Sequence, residues 1–345
     1  MPTTYAIPDG RTVMAATLYT GTGAAASISN AVNGVSFQPD WVWIKSRSNA
    51  LNSGLMDSVR GATKLLISNA TNAEQTLTDE LTSFNTNGFS LGVSSNGYTN
   101  YSPYTYVGWN WKAGGTAVSN TSGSITSSVS ANTTAGFSVL TYTGTGANAT
   151  VGHGLGVAPS MFILKARSAS GLYWVVYHQS LGATKALFLQ LTDAANTDIL
   201  YFNNTAPTSS VLSLGAGASP NQNGTTYVGY CFAPVAGYSA FGTYTGNGSA
   251  DGPFIYTGFR PRFLMFKRTD SAGDWWMYDT SRSTSNTAVL VLYANSSAAE
   301  ISDSNVDILS NGFKLRSATY QPNNSGGTYI YAAFAENPFA YSNAR

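Results

Sequence analysis

The sequence predicts an all-β protein built from three tandem β-sandwich modules, and three observations lead there. Aromatic residues make up 13% of the chain, with 21 Tyr, 16 Phe and 7 Trp, while only 10% of residues are charged. Soluble domains carry about 25% charged residues, so hydration here falls to Ser, Thr, Asn and Gly. Neutral polar plus aromatic residues, with little Lys or Glu, compose strands and turns rather than helices. The second observation is a set of landmarks that recurs three times in the same order. The third is the spacing within each recurrence, where short runs of β-branched or aromatic residues end at Asn33-Gly34, Asn87-Gly88, Asn96-Gly97, Asn223-Gly224 and Asn311-Gly312. Asn-Gly readily adopts the left-handed angles of tight hairpin turns.

The landmarks begin with Tyr-Thr-Gly-x-Gly, at Tyr19, Tyr142 and Tyr244. A proline follows each (Pro39, Pro159, Pro261), then a short apolar run (DWVWI, SMFIL, RFLMF), then a lysine (Lys45, Lys165, Lys267). Downstream, the run from Asp57 to Lys64 lines up with the run from His178 to Lys185, and with Asp279 to Arg282 in the third copy. Each copy closes on a similar strand: Thr105 to Trp109, Thr226 to Tyr230, and Thr328 to Ala332. The second and third copies start about 100 residues apart, as tandem repeats of one unit should. The first gap is longer by a Ser/Thr/Gly-rich segment, 114–135. Its composition is that of a linker, but its SITSSVSA string alternates like an edge strand. The resulting division is an arm 1–12, modules 13–113, 136–234 and 237–338, and a tail 339–345.

The closing strands show period two, with Val107, Trp109 and Trp111 on one face and Tyr106, Gly108 and Asn110 on the other. The bulky face is expected in the core. The post-proline run is apolar at both parities and should be covered on both sides. One short helical stretch per copy is expected, around Ala70 to Glu80 in the first. Many short strands with regular turns describe a sandwich.

Composition also excludes function classes. The 345 residues carry 17 Lys+Arg against 16 Asp+Glu, a net charge of +1. Without a basic cluster, nucleic acid is not an expected partner. One cysteine, Cys231, leaves no disulfide framework or Cys-based metal site. The N-terminal MPTTYAIPDGRTVM has no apolar run, so no signal peptide is expected, and no stretch is apolar enough for a membrane span.

The strings YTGTG, FQPDWVWIKSRS, DSVRGATK, NGFSLG, YVGWNWKAGG, SITSSVSANTTAGFSVLTYTGTG and VGHGLGVAP together resemble a repeat module of tail-fibre and other virion proteins of aquatic bacteriophages, cyanobacterial and marine ones especially. The resemblance runs from about Thr12 to Pro338 and is weakest in the third copy, which lacks VGHGLGVAP. It implies a concanavalin-like jelly-roll sandwich and a place on the virion surface, after synthesis in the host cytoplasm. The implied function is non-enzymatic: attachment to the host surface as a tail-fibre-type protein, or docking as a capsid decoration or head-fibre protein. The implied partners are other virion proteins, a host-surface glycan or protein, and further copies of the chain, a trimer among the options. No cofactor or metal is implied.

YTGTG lacks the GK[ST] ending of a phosphate loop and reads as a turn. His153 and His178 have no histidine counterparts in the other copies, which argues against a metal site or a Ser-His-Asp triad. A glycosidase needs two carboxyls across a cleft; Asp57 and Asp279 recur, but no acidic partner recurs beside both, so glycan cleavage is a minor alternative. Trp41, Trp43, Trp109 and Trp111 read as packing. Trp174 and Trp275 align with Ser53, which makes them candidate contact residues. The strongest candidates are Tyr98, Tyr101 and Tyr104 in SNGYTNYSPY, three tyrosines in a loop where the other copies carry none or few. Lys45, Lys165 and Lys267, with Arg47, Arg167 and Arg268, read as strand-end charges that discourage edge pairing.

Overall fold

A computed structural model describes residues 5–318 and 321–338; the first four residues of the expected arm and the tail 339–345 lie outside the described residues. The architecture is all-β. The described helices are two four-residue turns, Ile199–Phe202 and Ala218–Asn221, and one 3-10 turn, Gly10–Thr12.

One strand pattern appears in three stretches of the chain. In the first, Met14–Thr20 pairs with Thr105–Trp111, which pairs with Trp41–Ser46, followed by Gly54–Asp57 and Lys64–Ile67. In the second the order is Phe137–Thr143, Thr226–Phe232, Met161–Ala166, Val175–His178 and Lys185–Phe188. In the third it is Ser239–Thr245, Thr328–Pro338, Phe259–Arg268, Trp275–Asp279 and Ala288–Tyr293. All neighbours are antiparallel. Registers agree as well: Lys45 sits opposite Val107, Lys165 opposite Val228, and Lys267 opposite Ile330.

The segment 114–135 resolves in favour of an edge. Val118–Asn120 and Ser127–Asn132 pair with each other and extend the second sheet beyond Phe137–Thr143. The helix expected around Ala70 to Glu80 is not there; the chain bends and forms only the short strand Gln75–Thr76. Its backbone groups find partners elsewhere. Glu74 N–H donates to the Arg167 carbonyl at 2.7 Å, and the Thr71 carbonyl accepts from Lys165. Every backbone group needs a partner, and here the partners lie on a neighbouring strand rather than one helical turn away.

Period two puts the two faces of each main sheet against different things. In the first stretch Val42, Ile44, Met56 and Leu65 pack against Leu81, Phe89 and Leu91 of a smaller three-stranded sheet. In the second, Phe162, Leu164 and Tyr177 pack against Val151, Leu212 and Leu214 of a two-stranded sheet. The opposite parity faces the other stretches. Trp41, Trp111, Ile163, Phe232, Met265 and Phe334 belong to one buried cluster drawn from all three. Trp41 stacks on Tyr230 at 4.4 Å, Trp111 meets Phe263 at 5.4 Å, and Phe232 meets Phe334 at 5.6 Å. A void of only 10 Å³ remains at the meeting point, among Trp41, Trp111, Ile163, Phe232, Met265 and Phe334.

Candidate functional site

The recurring polar residues meet between stretches, and they do so cyclically. Asp57 accepts from the Tyr230 hydroxyl at 2.9 Å, joining first to second. The His178 ring nitrogen Nε2 lies 3.2 Å from the Tyr331 carbonyl, joining second to third. Asp279 accepts from the Trp109 indole at 3.0 Å, joining third to first. Tyr230 and Trp109 hold the same place on their closing strands. In the third closing strand that place is Ala332, which offers no polar group, so the longer His178 reaches a backbone oxygen instead.

The supporting residues change together. Asp57 is ion-paired to Arg60 and Asp279 to Arg282, all four side chains fully buried. Beside His178 the arginine position is Leu181, since a neutral ring needs no counter-charge. Glu74 bridges Arg60 and Arg167 at 3.0 and 2.9 Å. Glu300 bridges Arg282 and Arg47 at 3.2 and 2.8 Å. Burial works against the Glu74 charge, but the hydrogen bond from Arg167 and the charge of Arg60 outweigh it and hold its pKa below the usual value.

The strand-end lysines do not guard an edge. Lys45, Lys165 and Lys267 are fully buried, and each is capped by a loop from another stretch. Lys45 donates to the Ser296 carbonyl at 2.7 Å, Lys165 to Thr71 at 3.2 Å, and Lys267 to Thr192 and Asp193 at 3.0 and 2.9 Å. Burial lowers their pKa values to about 7, 8 and 8 respectively.

Trp174 and Trp275 require the same correction. Both are buried, so neither belongs to an exposed contact surface. Trp174 donates to the carbonyls of Ile67 and Ala70 at 2.9 and 3.1 Å, and Trp275 to that of Phe188 at 2.9 Å. Their counterpart Ser53 is buried too; on that interface Ser68 donates to the Ala294 carbonyl at 2.8 Å.

His178 accepts from Ser180 N–H at Nδ1, so Nε2 carries the proton donated to Tyr331 and the ring is neutral. Burial lowers its pKa to about 4. An unfolded chain binds this proton near pH 6.5, so between 6.5 and 4 the unfolded state holds more protons and stability falls with acidification. The expected loss is roughly 3 kcal/mol across that window, at 1.36 kcal/mol per pKa unit. Asp40 and Glu80, both raised by burial, pull the other way. The check is therefore a difference: His178→Gln, measured by urea unfolding at pH 7 and pH 4.5, should show a shallower acid loss than the parent.

The tyrosine loop divides. Tyr101 is 46% exposed, whereas Tyr98 and Tyr104 are half-buried against the first stretch's own core. The Tyr101 and Tyr104 rings lie 4.9 Å apart. Tyr101→Ser is expected to change stability by less than about 0.5 kcal/mol, as exposed positions do. Tyr104→Ser should visibly lower the thermal midpoint, and a melting comparison of the two variants checks both.

One set of residues escaped the reading of the sequence. Asn100, Asn221 and Asn323 are completely buried and each pins its loop to the Tyr-Thr-Gly turn. Their side-chain oxygens accept from Thr22, Thr145 and Asn247 N–H at 2.9, 2.8 and 2.9 Å. Their amides donate to Ala24, Ala147 and Ser249 carbonyls. All three sit at one spacing before the closing strand's first Thr, a signal that alignment alone could have found. The turn's first glycine is required there: a Cβ on Gly21, Gly144 or Gly246 would meet a loop carbonyl oxygen at 2.3, 2.4 or 2.2 Å.

The contacts of Asp57, His178 and Asp279 join the three stretches to one another. Asp57 and Asp279 are fully buried, each ion-paired to an arginine. Among the described residues no group of three His, Cys, Asp or Glu could hold a metal ion. Cys231 is buried, and burial pushes its thiol pKa up. No helix among the described residues is long and apolar enough to cross a membrane. Neither a curated protein nor a solved structure matches the chain. The family model of a domain of unknown function, DUF7483, matches residues 9–338, and the chain belongs to that family.

Proposed function

We propose that the chain is a non-enzymatic structural protein of a bacteriophage virion, of the tail-fibre type, that attaches to the host surface. In this reading it consists of three concanavalin-like β-sandwich modules closed into a ring. The observation that carries it is the cycle of contacts. The loop after Ile67 caps Lys165, the loop after Phe188 reaches Lys267, and the loop after Tyr293 caps Lys45. Head-to-tail interfaces that close after three steps define a threefold ring. Such a ring within a single chain would serve as a fibre head. Ser/Thr/Asn-rich loops on a rigid scaffold suit attachment, and three modules in one chain favour avidity. The phage assignment itself rests on the resemblance of the sequence motifs.

A capsid-decoration role is the second reading, favoured by a ring complete within one chain, which needs no fibre shaft to hold it together. A density map of whole particles tests both: density for this chain at the tail supports the first, density on the capsid supports the second, and absence from purified particles overturns the virion assignment. Purified protein should release no new reducing ends from host polysaccharide; release would overturn the non-enzymatic reading.

A further inference from the structure

We propose that the first stretch takes up an extended segment of another protein, an aliphatic residue flanked by serines, between residues 18–20 of one strand and 27–29 of the next. The chain itself shows such a segment in place one stretch further on. In the second stretch Ile125 bridges to Val151, and its N–H donates to the Thr150 carbonyl at 2.9 Å. Thr150 N–H donates to the Ser124 hydroxyl at 2.9 Å, and the Ser127 hydroxyl donates to the Gly152 carbonyl at 2.8 Å. From there the chain turns onto the main sheet, where Ser128 stands opposite Thr141. Residues 123–128 therefore lie across the edges of both sheets, and Tyr142 and Val151 beside them are buried.

The first stretch has the same two edges without that segment. Tyr19 holds the place of Tyr142 in the Tyr-Thr-Gly turn, and Ile28, opposite Phe89, holds that of Val151, opposite Leu212. Both are half-buried instead of buried, and Leu18 beside them is 38% exposed. Among the described residues Met14–Thr20 and Ala26–Ser29 each end their sheets. Lys112 N–H donates to the Val13 carbonyl and Gly21 N–H to that of Tyr104, so antiparallel alternation turns the backbone groups of Leu18 and Thr20 outward. Asn30 N–H donates to the Asn87 carbonyl, which turns those of Ser27 and Ser29 outward as well. Open edges are ordinarily guarded by a charge, a proline or a bulge; MAATLYT and ASIS carry no charge or proline, and both registers run unbroken. In the third stretch the equivalents Tyr244 and Ile255 are buried without any added segment, so the open position belongs to the first alone. The described part of the N-terminal arm does not fill it: Ile7 is buried in the shared cluster, and Gly10 lies against the Ala335 carbonyl of the third closing strand. A second copy cannot lend its own residues 123–128, which are engaged in its second stretch. The occupant is therefore a segment of a different protein. Strand addition draws its affinity from main-chain hydrogen bonds and its selectivity from side-chain pockets; here Tyr19 and Ile28 form the apolar floor.

The test offers the full chain a fluorescein-labelled peptide of residues 121–129, with binding read by anisotropy and its position by hydrogen exchange. Binding should saturate and slow exchange at the Leu18, Thr20 and Ser27 amides, with Thr150 and Thr243 unchanged. The same peptide carrying Ile125→Asp should bind at least tenfold more weakly. Leu18→Glu and Ser27→Pro in the full chain should each weaken binding at least tenfold at an unchanged thermal midpoint, since both positions are exposed and the Ser27 N–H faces away from its sheet. Thr243→Glu, at the place of Leu18 in the third stretch, should leave binding as it is. If Ser27→Pro lowers the midpoint, Leu18→Glu decides alone. Absence of binding, or binding that survives Leu18→Glu, overturns the proposal. Altered exchange at Thr150 instead would mean that the peptide replaces the chain's own segment, and overturns it too. Self-association of the full chain in sedimentation, abolished by Leu18→Glu, assigns the edge to a second copy and overturns the different-protein occupant. The peptide assay involves no particle, so its outcome stands apart from the virion and attachment readings.

Discussion

Trp41→Ala should cost the chain about 3 kcal/mol and lower one unfolding transition rather than one of three. The magnitude is the low end of the roughly 3–5 kcal/mol range for truncating a buried Trp, because the indole N–H of Trp41 is buried without a partner and its removal returns part of the loss. The single transition follows from where the ring sits. Trp41 contacts Trp111 at 4.6 Å within its own sheet, but also Tyr230 at 4.4 Å and Phe137 at 5.9 Å in the second stretch. Cutting it out loosens a core that all three stretches share. Scanning calorimetry decides the matter: separate transitions, with only one displaced, would mean that the three stretches unfold independently.

The second large effect is expected at Asp57→Ala. Its removal leaves the fully buried Arg60 guanidinium with Glu74 as its remaining anion, and breaking a buried ion pair from one side costs roughly 3–5 kcal/mol. Tyr230 loses its acceptor as well, so the interface between first and second stretches weakens with the fold. The double variant Asp57→Ala/Arg60→Leu should be more stable than Asp57→Ala alone, since it removes the uncompensated charge and leaves a leucine, as Leu181 stands beside His178. Urea unfolding of the two variants checks the order; a double variant no better than the single one would mean that the carboxylate acts through Tyr230 and not through the arginine.

Much of this fold was legible in the chain, and the reasons are local. The Tyr-Thr-Gly turns, the proline-led strands and the closing strands recur because each is set by a few adjacent residues: glycine where a carbonyl approaches, alternation where one face is buried. The double-sided apolar character of Trp41 to Ile44 correctly implied cover on both faces. What the second cover would be was not legible. Lys45, Lys165 and Lys267 looked like edge guards, and Trp174 and Trp275 looked like exposed contacts, because their partners lie on stretches far away in sequence. The composition of the tyrosine loop suggests one surface, whereas packing exposes Tyr101 and half-buries Tyr98 and Tyr104.

By itself, then, the sequence determined the strand content, the threefold recurrence and the turns, since composition, periodicity and glycine placement act within a few residues. Tertiary structure decided which surfaces of the repeats meet. The exchange of Asp57 and Arg60 for His178 and Leu181 looks like drift along the chain, but it answers Ala332 on the opposing strand. Burial, charge compensation and cavity volume belong to pairs of surfaces, and no single stretch of residues specifies its partner.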